Sequence, residues 1–514
     1  MIDFLMVCLY FLTVFAVAIR GKTSKDVTVE EYYLNSRKLG WFSIAFSTIA
    51  TNVHGFQWIG YIGSAYLYGL AQANFEINAI QGLFLAAFIF IPMYFRERVV
   101  TITQFIKTRL GNTVALIYSL TNISLFATLS LGAGLFWGAY AADLVFADFL
   151  SFIHEDRFTR ISILIVGLGL LSATYTYLGG LGAVVRTDIV QFSILLSCGI
   201  ALMIITIHEL GGWSQLYAKT GDKMHLHLPA DHKTLPWIHI FGAFLLNINY
   251  WCANQRIVQR SLAARSLKDI QIGLMVGGVM KYFMAAVVII PGIALFGILG
   301  ENGLEDPDSG FPYLVNTYLP VGLRGLILCA LFASMMSTVD STFNSLATLW
   351  SIDIYKPYIN KSATDFQVVQ AGKNAILISF LTGAFMGIIL LYIKLNNTGA
   401  AFTHILNELR YYINTGIVVL ICAAVFLMAP KQRLTLFVFI ATVPLNLIFK
   451  AVWPEMNYFV RPMWIILISF TIIYLGSRGG FIRDKLTYEP ATPFVNKAGI
   501  GLLLSLVAVH ILFH

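Results

Sequence analysis

Apolar stretches long enough to cross a bilayer recur along almost the whole chain. A transmembrane helix needs about 20 predominantly apolar residues. About fourteen stretches meet that length: residues 1–19, 41–68, 72–95, 113–146, 160–178, 183–208, 236–256, 271–299, 323–350, 373–394, 402–428, 433–451, 459–476 and 494–513. Charged residues make up only 12% of the 514, where a soluble domain carries about 25%. The connections are short and leave no room for a soluble domain. The expected fold class is an all-α integral membrane protein of about fourteen transmembrane helices.

The net charge of +8 reads as topology rather than as nucleic-acid binding, because Lys and Arg cluster in alternate connections. With the N-terminus outside, the inner loops hold Arg20, Lys22, Lys25, Arg37 and Lys38, then Arg96, Arg98, Lys107 and Arg109, then Arg186, then Arg256, Arg260, Arg265 and Lys268. One outer loop is acidic, with Glu301, Glu305, Asp306 and Asp308. The positive-inside rule then puts both ends outside. The first stretch carries Asp3 and no basic residue ahead of its apolar run, so it reads as an uncleaved helix. Cys8, Cys198, Cys252, Cys329 and Cys422 all fall in apolar spans without metal-ligand spacing, and no disulfide is expected.

Polar residues interrupt several spans. The run Ser47–Gly60 has a polar, glycine-bearing centre, Thr51-Asn52-Val53-His54-Gly55-Phe56-Gln57. Hydrocarbon cannot satisfy a freed backbone group, so a break there must face protein or a water-filled cavity. Freed carbonyls at such a break can coordinate a cation, and flanking side chains can hold a solute. The alternative is a kinked helix with Thr and Asn bonded to its neighbours. The span 236–256 carries a second polar cluster, Asn247-Ile248-Asn249-Tyr250-Trp251. It comes five crossings after the first. An odd number of crossings reverses direction, so spans 2–6 and 7–11 can be two units of opposite orientation, and paired interruptions in inverted halves point to a transporter site. The chain therefore divides into an N-terminal helix and loop (1–39), a first unit (40–210), a second unit (235–428) and three C-terminal helices (429–514).

Glu76 and Lys281 fall deep in apolar spans. Intramembrane charges are costly and take a partner or a cavity, and each is the opposite charge the other needs. A structural ion pair, an interfacial Glu76 or a snorkelling Lys281 are the plain alternatives. Ser334, Ser337, Thr338 and Ser341 recur on one helical face and offer hard oxygen ligands, although small residues also pack membrane helices closely. Asp340 adjoins that face. Asp188 begins a helix after Gly179-Gly180-Leu181-Gly182, where a capping or hinge role is the competing explanation. Glu408 and Arg410 read as outer interfacial residues, and the last three spans as plain membrane helices. No metal-ligand cluster, nucleophile–base pair or nucleotide-binding loop is present in the sequence, which argues for a transporter over an enzyme.

Four stretches carry a resemblance to a known family: Thr48–Gly63, Tyr175–Gln191 with its Leu-Gly-Gly-Leu-Gly-Ala-Val-Val-Arg-Thr-Asp pattern, Asn247–Ser266, and Ala330–Tyr355. Over about residues 31–430 the chain resembles the sodium/solute symporters, in their sodium–sugar cotransporter branch. The resemblance implies a LeuT-type core of two inverted five-helix repeats and alternating access in a bacterial-type plasma membrane. It implies Na+ as the coupling ion and a hexose as solute; inositol, sialic acid or an amino acid is the alternative. The main Na+ site would use the carbonyls of Ala50, Val53 and Ser334 with the hydroxyls of Ser337 and Thr338. Asn52, Gln57, Glu76, Asn247 and Lys281 match solute-binding positions, with Asn407 where relatives often have Gln. Tyr250 resembles the inner gate. Asp188 resembles the aspartate near the inner Na+ exit, and with Ser337, Asp340 and Ser341 it would form a second cation site. His54 and Phe56 depart from the usual small or polar residues.

Overall fold

The computed structural model describes residues 2–20, 27–396, 402–481 and 488–514. The chain is helical almost throughout, because in hydrocarbon every backbone group must find its partner within the segment. Its main helices are α1 (Ile2–Ile19), α2 (Trp41–Asn52), α3 (Gly55–Tyr68), α4 (Asn74–Ile77), α5 (Leu131–Leu150), α6 (Arg157–Leu210), α7 (His239–Asn247), α8 (Gln255–Leu262), α9 (Leu267–Leu299) and α10 (Leu323–Thr348). They are followed by α11 (Asp365–Asn396), α12 (Phe402–Phe426), α13 (Gln432–Val452), α14 (Val460–Gly476) and α15 (Pro493–Leu512). A short antiparallel pair, β1 (Leu427–Ala429) with β2 (Arg478–Phe481), ties the ends of α12 and α14.

Among the described residues, ten helices are long and apolar enough to cross a membrane, against about fourteen apolar stretches in the sequence. The difference lies in where the helices break and join. Stretches 41–68 and 72–95 yield one long helical run, Gln57–Arg96, because the break falls early, between α2 and α3. Stretch 236–256 is cut into α7 and α8, each too short alone. Stretch 459–476 gives 17 residues. Stretches 160–178 and 183–208 merge into α6, 54 residues long.

At 1.5 Å per residue α6 would be about 80 Å long if straight, far more than the roughly 30 Å of hydrocarbon. It turns at Gly180, whose φ of 54° and ψ of −148° is open only to glycine. Tyr32 fills the corner, donating its hydroxyl to the carbonyls of Thr176 and Tyr177, both at 3.0 Å. A Cβ on Gly180 would run into the Tyr32 carbonyl. Gly180→Ala is therefore expected to cost about 1–3 kcal/mol, seen as a lower Tm in detergent; an unchanged Tm would show that the corner does not depend on this backbone conformation.

Polar content sets the radial order of the helices. In the run Leu323–Ile359, 94% of the most apolar window is buried, against 17% in α1 and 22% in α15. α10 thus stands at the centre, packed along α6, α5 and α11, while α1 and α15 turn large apolar side chains such as Leu5, Leu12, Leu504 and Ile511 outwards. α14 is not plain, however. Its Arg461 is buried and donates to Glu408 at 2.6 Å, and Lys450 of α13 reaches the other Glu408 oxygen at 2.8 Å. This network corrects the expectation that the last three helices serve only membrane packing.

Candidate functional site

α2 stops at Asn52 and α3 starts at Gly55. Between them Val53 (φ −82°, ψ 118°) and His54 (φ −108°, ψ 149°) are extended. The amide of His54 would be the helical partner of the Ala50 carbonyl, but it donates instead to Gln57 Oε1 at 2.8 Å. Gln57 in turn donates Nε2 to Glu76 Oε1 at 2.7 Å. Glu76 Oε2 takes Lys281 Nζ at 2.6 Å, and Lys281 also donates to Asn52 Oδ1. The circuit closes on itself around the break: Asn52 ends the first half-helix, Gln57 lies in the first turn of the second, and the buried Lys281–Glu76 ion pair joins them. Lys281 Nζ also lies 5.5 Å from the centre of the Trp251 ring, a cation–π contact.

These side chains line a cavity of about 300 Å³, which Asn247, Tyr250, Ser334 and Thr338 line as well. Asn247 donates to the Asn78 carbonyl at 3.2 Å, which leaves its amide oxygen for a solute. Tyr250 packs edge-on against Trp251, with ring centres 5.0 Å apart. Asn247 and Tyr250 stand where α7 passes into the irregular turn Ile248–Ala253, which Asn254 ends in an extended conformation. The second polar interruption is thus a second break facing the first. The Asn407 side chain lies outside the described residues.

The break also meets α10. Ser334 Oγ donates to the Val53 carbonyl at 3.0 Å. Thr338 Oγ1 donates to the Ser334 carbonyl at 3.1 Å and lies 2.8 Å from His54 Nδ1. Four of the five main-site candidates, Ala50, Val53, Ser334 and Thr338, thus gather at the α2 end, and the fifth, Ser337, turns one step away. Its hydroxyl donates to Asp188 Oδ1 at 2.5 Å.

Asp188 does not cap a helix. It is fully buried and accepts from Ser47 Oγ at 2.5 Å and from Arg260 Nη2 at 3.2 Å. Arg260 also reaches Ser47 at 2.5 Å through Nε, and it bonds Ser341 Oγ and the Arg256 carbonyl. Asp340 accepts from the hydroxyls of Tyr175 at 2.6 Å and Ser341 at 3.3 Å. This cluster therefore holds two carboxylates and one guanidinium.

Three cationic residues of the site are missed by reading the sequence. Arg256 and Arg260 are counted there as inner-loop charges, and Arg410 as an interfacial one. Arg256 and Arg260 lie instead on α8, one turn apart and buried. Arg256 and Arg410 line the cavity. The i, i+4 spacing of Arg256 and Arg260 marks a single helical face, the only local signal for them.

Known proteins resemble this chain in sequence and in fold. The sodium:solute symporter family model matches residues 32–429. The sodium/glucose cotransporter of Vibrio parahaemolyticus is 27% identical over 100% of this chain and 98% of its own length. Sodium/glucose cotransporter 4 of Homo sapiens is 30% identical over 82% of this chain and 65% of its own. Among solved structures, the substrate-bound outward-open state of a Na+-coupled sialic acid symporter has a TM-score of 0.76 at 20% identity, covering 92% of this chain and 97% of that one. All three are transporters. Residues 32–429 make up most of the chain, and this protein belongs to the sodium:solute symporter family.

Proposed function

We propose that the protein couples the inward movement of Na+ to uptake of a hexose-type sugar by alternating access. One observation carries this reading: the polar circuit Asn52–Lys281–Glu76–Gln57 and the Val53–Ser334–Thr338 oxygen cluster are built on the same helix break, and the circuit shares one cavity with Ser334 and Thr338. Sugar hydroxyls need donors and acceptors together. Glu76 accepts, Lys281 donates, and the amides of Asn52, Gln57, Asn247 and Asn407 do both, while Tyr250 offers a ring to the apolar face of the sugar and forms the inner gate.

Na+ takes the carbonyls of Ala50, Val53 and Ser334 and the hydroxyls of Ser337 and Thr338. Its binding fixes the break, and the break carries Asn52 and Gln57, so the ion preforms the sugar site. Coupling of this kind is reciprocal: sugar tightens Na+ as much as Na+ tightens sugar. A membrane potential of about 100 mV contributes roughly 2.3 kcal/mol per charge, enough for tens-fold accumulation by each coupled ion. A second cation joins Asp188, Ser337, Asp340 and Ser341, where two carboxylates face a single guanidinium. Residues 40–210 and 235–428 form the two inverted five-helix repeats, flanked by 1–39 and 429–514, with fourteen crossings of the plasma membrane and both ends outside.

Proteoliposomes with an inward Na+ or K+ gradient, given labelled neutral and acidic hexoses, inositol and proline, test the reading. Uptake is expected with Na+ and a hexose only. Gln57→Ala removes the bond to the Glu76 carboxylate, about 1.5–3 kcal/mol for a charged partner, and leaves the His54 amide without its acceptor, so KM for sugar should rise roughly tenfold or more. Thr338→Ala should raise the Na+ half-saturation instead. Uptake of proline or inositol alone would discard the sugar assignment, and uptake indifferent to Na+ would discard the coupling.

A further inference from the structure

We infer, resting on that reading of the cavity, that the preferred sugar is an acidic one: a hexose bearing a carboxylate, held by Arg410. The charge on the cavity wall points there. Four charged residues line it, namely Glu76, Lys281, Arg256 and Arg410. Glu76 is the only carboxylate among them and is already paired with Lys281 at 2.6 Å. None of the ion pairs among the described residues involves Arg256 or Arg410. A neutral sugar would leave two guanidinium charges beside the Na+ site without a counter-charge inside the membrane, where an unpaired charge is costly.

The two arginines differ in what they already hold. Arg256 is engaged by protein: Nη1 donates to Thr342 at 3.2 Å, Nε to Asn254 Oδ1 at 3.4 Å, and its guanidinium stacks 5.2 Å over the Phe126 ring. Arg410 donates Nη2 to the Leu129 carbonyl at 3.1 Å, one of the five N–H donors a guanidinium carries. It stands three residues, one helical turn, after Asn407 on α12, and the neighbouring Tyr411 and Asn414 line the same cavity. A planar guanidinium with open N–H groups matches a carboxylate in a two-point bond. With Arg256 already held by Thr342, Asn254 and the Phe126 ring, Arg410 is the guanidinium left to take the two-point bond, and a sugar carboxylate fits that bond.

The same placement ties the anion to the coupling ion. A carboxylate on Arg410 and Na+ on the Val53–Ser334–Thr338 cluster line one low-dielectric space, so each lowers the electrostatic cost of the other.

The test compares glucose and galactose with glucuronate and galacturonate, and with glucose 6-phosphate, as Na+-driven substrates and as competitors in proteoliposomes. Wild type is expected to take the hexuronate at least about tenfold better in kcat/KM than the matching hexose. Arg410→Gln should collapse that ratio towards one or invert it, and Arg410→Lys should restore part of it. As a readout on unmodified protein, glucuronate should raise Tm in Na+ more than glucose at equal concentration, which keeps the test open if Arg410→Gln does not fold. Preference for the neutral hexose, for the sugar phosphate, or a hexuronate preference untouched by Arg410→Gln would overturn the inference while leaving the sugar symport reading in place. Absence of Na+-driven uptake for every sugar, neutral or acidic, would overturn both.

Discussion

Lys281→Ala will abolish sugar uptake and lower Tm, and adding Glu76→Gln will recover much of the stability but none of the transport. The two side chains are 1% and 2% exposed and 2.6 Å apart. Removing one member of a buried pair leaves an uncompensated charge and costs about 3–5 kcal/mol. In Lys281→Ala the Glu76 carboxylate keeps only the Gln57 amide, and Asn52 Oδ1 loses its donor. Glutamine at 76 removes the bare charge and can still accept from Gln57, so the double variant buries no orphan ion. Contacting residues couple by roughly 0.5–3 kcal/mol in such cycles, and the sign here is fixed: the second change should relieve the first. Transport stays lost because the circuit around the break is open and Asn52 is no longer tied to Gln57. The measurement is Tm in detergent beside initial uptake in proteoliposomes for all four proteins. Simple addition of the two losses in Tm would mean that the pair does not act as a unit, and near-normal uptake in Lys281→Ala would remove Lys281 from the solute site.

Part of this site is legible in the amino-acid sequence alone, and the legible part has a common cause. Asn52, Gln57, Glu76, Asn247 and Lys281 are polar residues inside apolar spans. The bilayer makes such residues expensive, so each one stands out against its own neighbours without any knowledge of the fold. The structure brings all five to one cavity. The arginines escape the same filter. Arg256 closes its apolar stretch, Arg260 lies just beyond it and Arg410 falls in the first third of its own, and the positive-inside rule counts such charge but says nothing of depth. Asp188 is visible as a lone carboxylate after a glycine turn, and capping is the plain local explanation. Its true partner, Arg260, is 72 positions away in the chain, beyond the reach of any local pattern. Span counting fails for a related reason. A hydropathy window assumes one unbroken helix per crossing, and this chain breaks its helices at Val53 and Asn254 and bends α6 at Gly180.

The cluster around Asp188 supplies the second large effect, because it joins the first half of the broken span to α6, α8 and α10. Ser47 of α2, Asp188 of α6, Arg260 of α8 and Ser337 and Ser341 of α10 all meet there. A motion of α2 against α6 and α10 must therefore break hydrogen bonds to a buried charge, so the network holds one arrangement of these helices until something replaces Arg260 or neutralises Asp188. Arg260→Ala is expected to stop transport and to lower Tm further than Lys281→Ala does, since two buried carboxylates, Asp188 and Asp340, would remain without the cluster's one guanidinium. The cost of orphaning a buried ion is again about 3–5 kcal/mol. Na+ should then become a stabiliser of this variant. A cation that binds the folded state raises stability by RT ln(1 + [L]/Kd), about 2.7 kcal/mol at a hundredfold excess over Kd, so Tm of Arg260→Ala should climb with Na+ more steeply than that of wild type, and K+ at equal ionic strength should not substitute. Asp188→Asn in the same background should flatten that climb and return part of the lost Tm. A variant whose Tm ignores Na+ would mean that the carboxylates do not hold a cation, leaving Arg260 as a structural lock alone. A steep Na+ response that Asp188→Asn abolishes would identify the Asp188 carboxylate as the seat of a second ion and Arg260 as the charge it competes with.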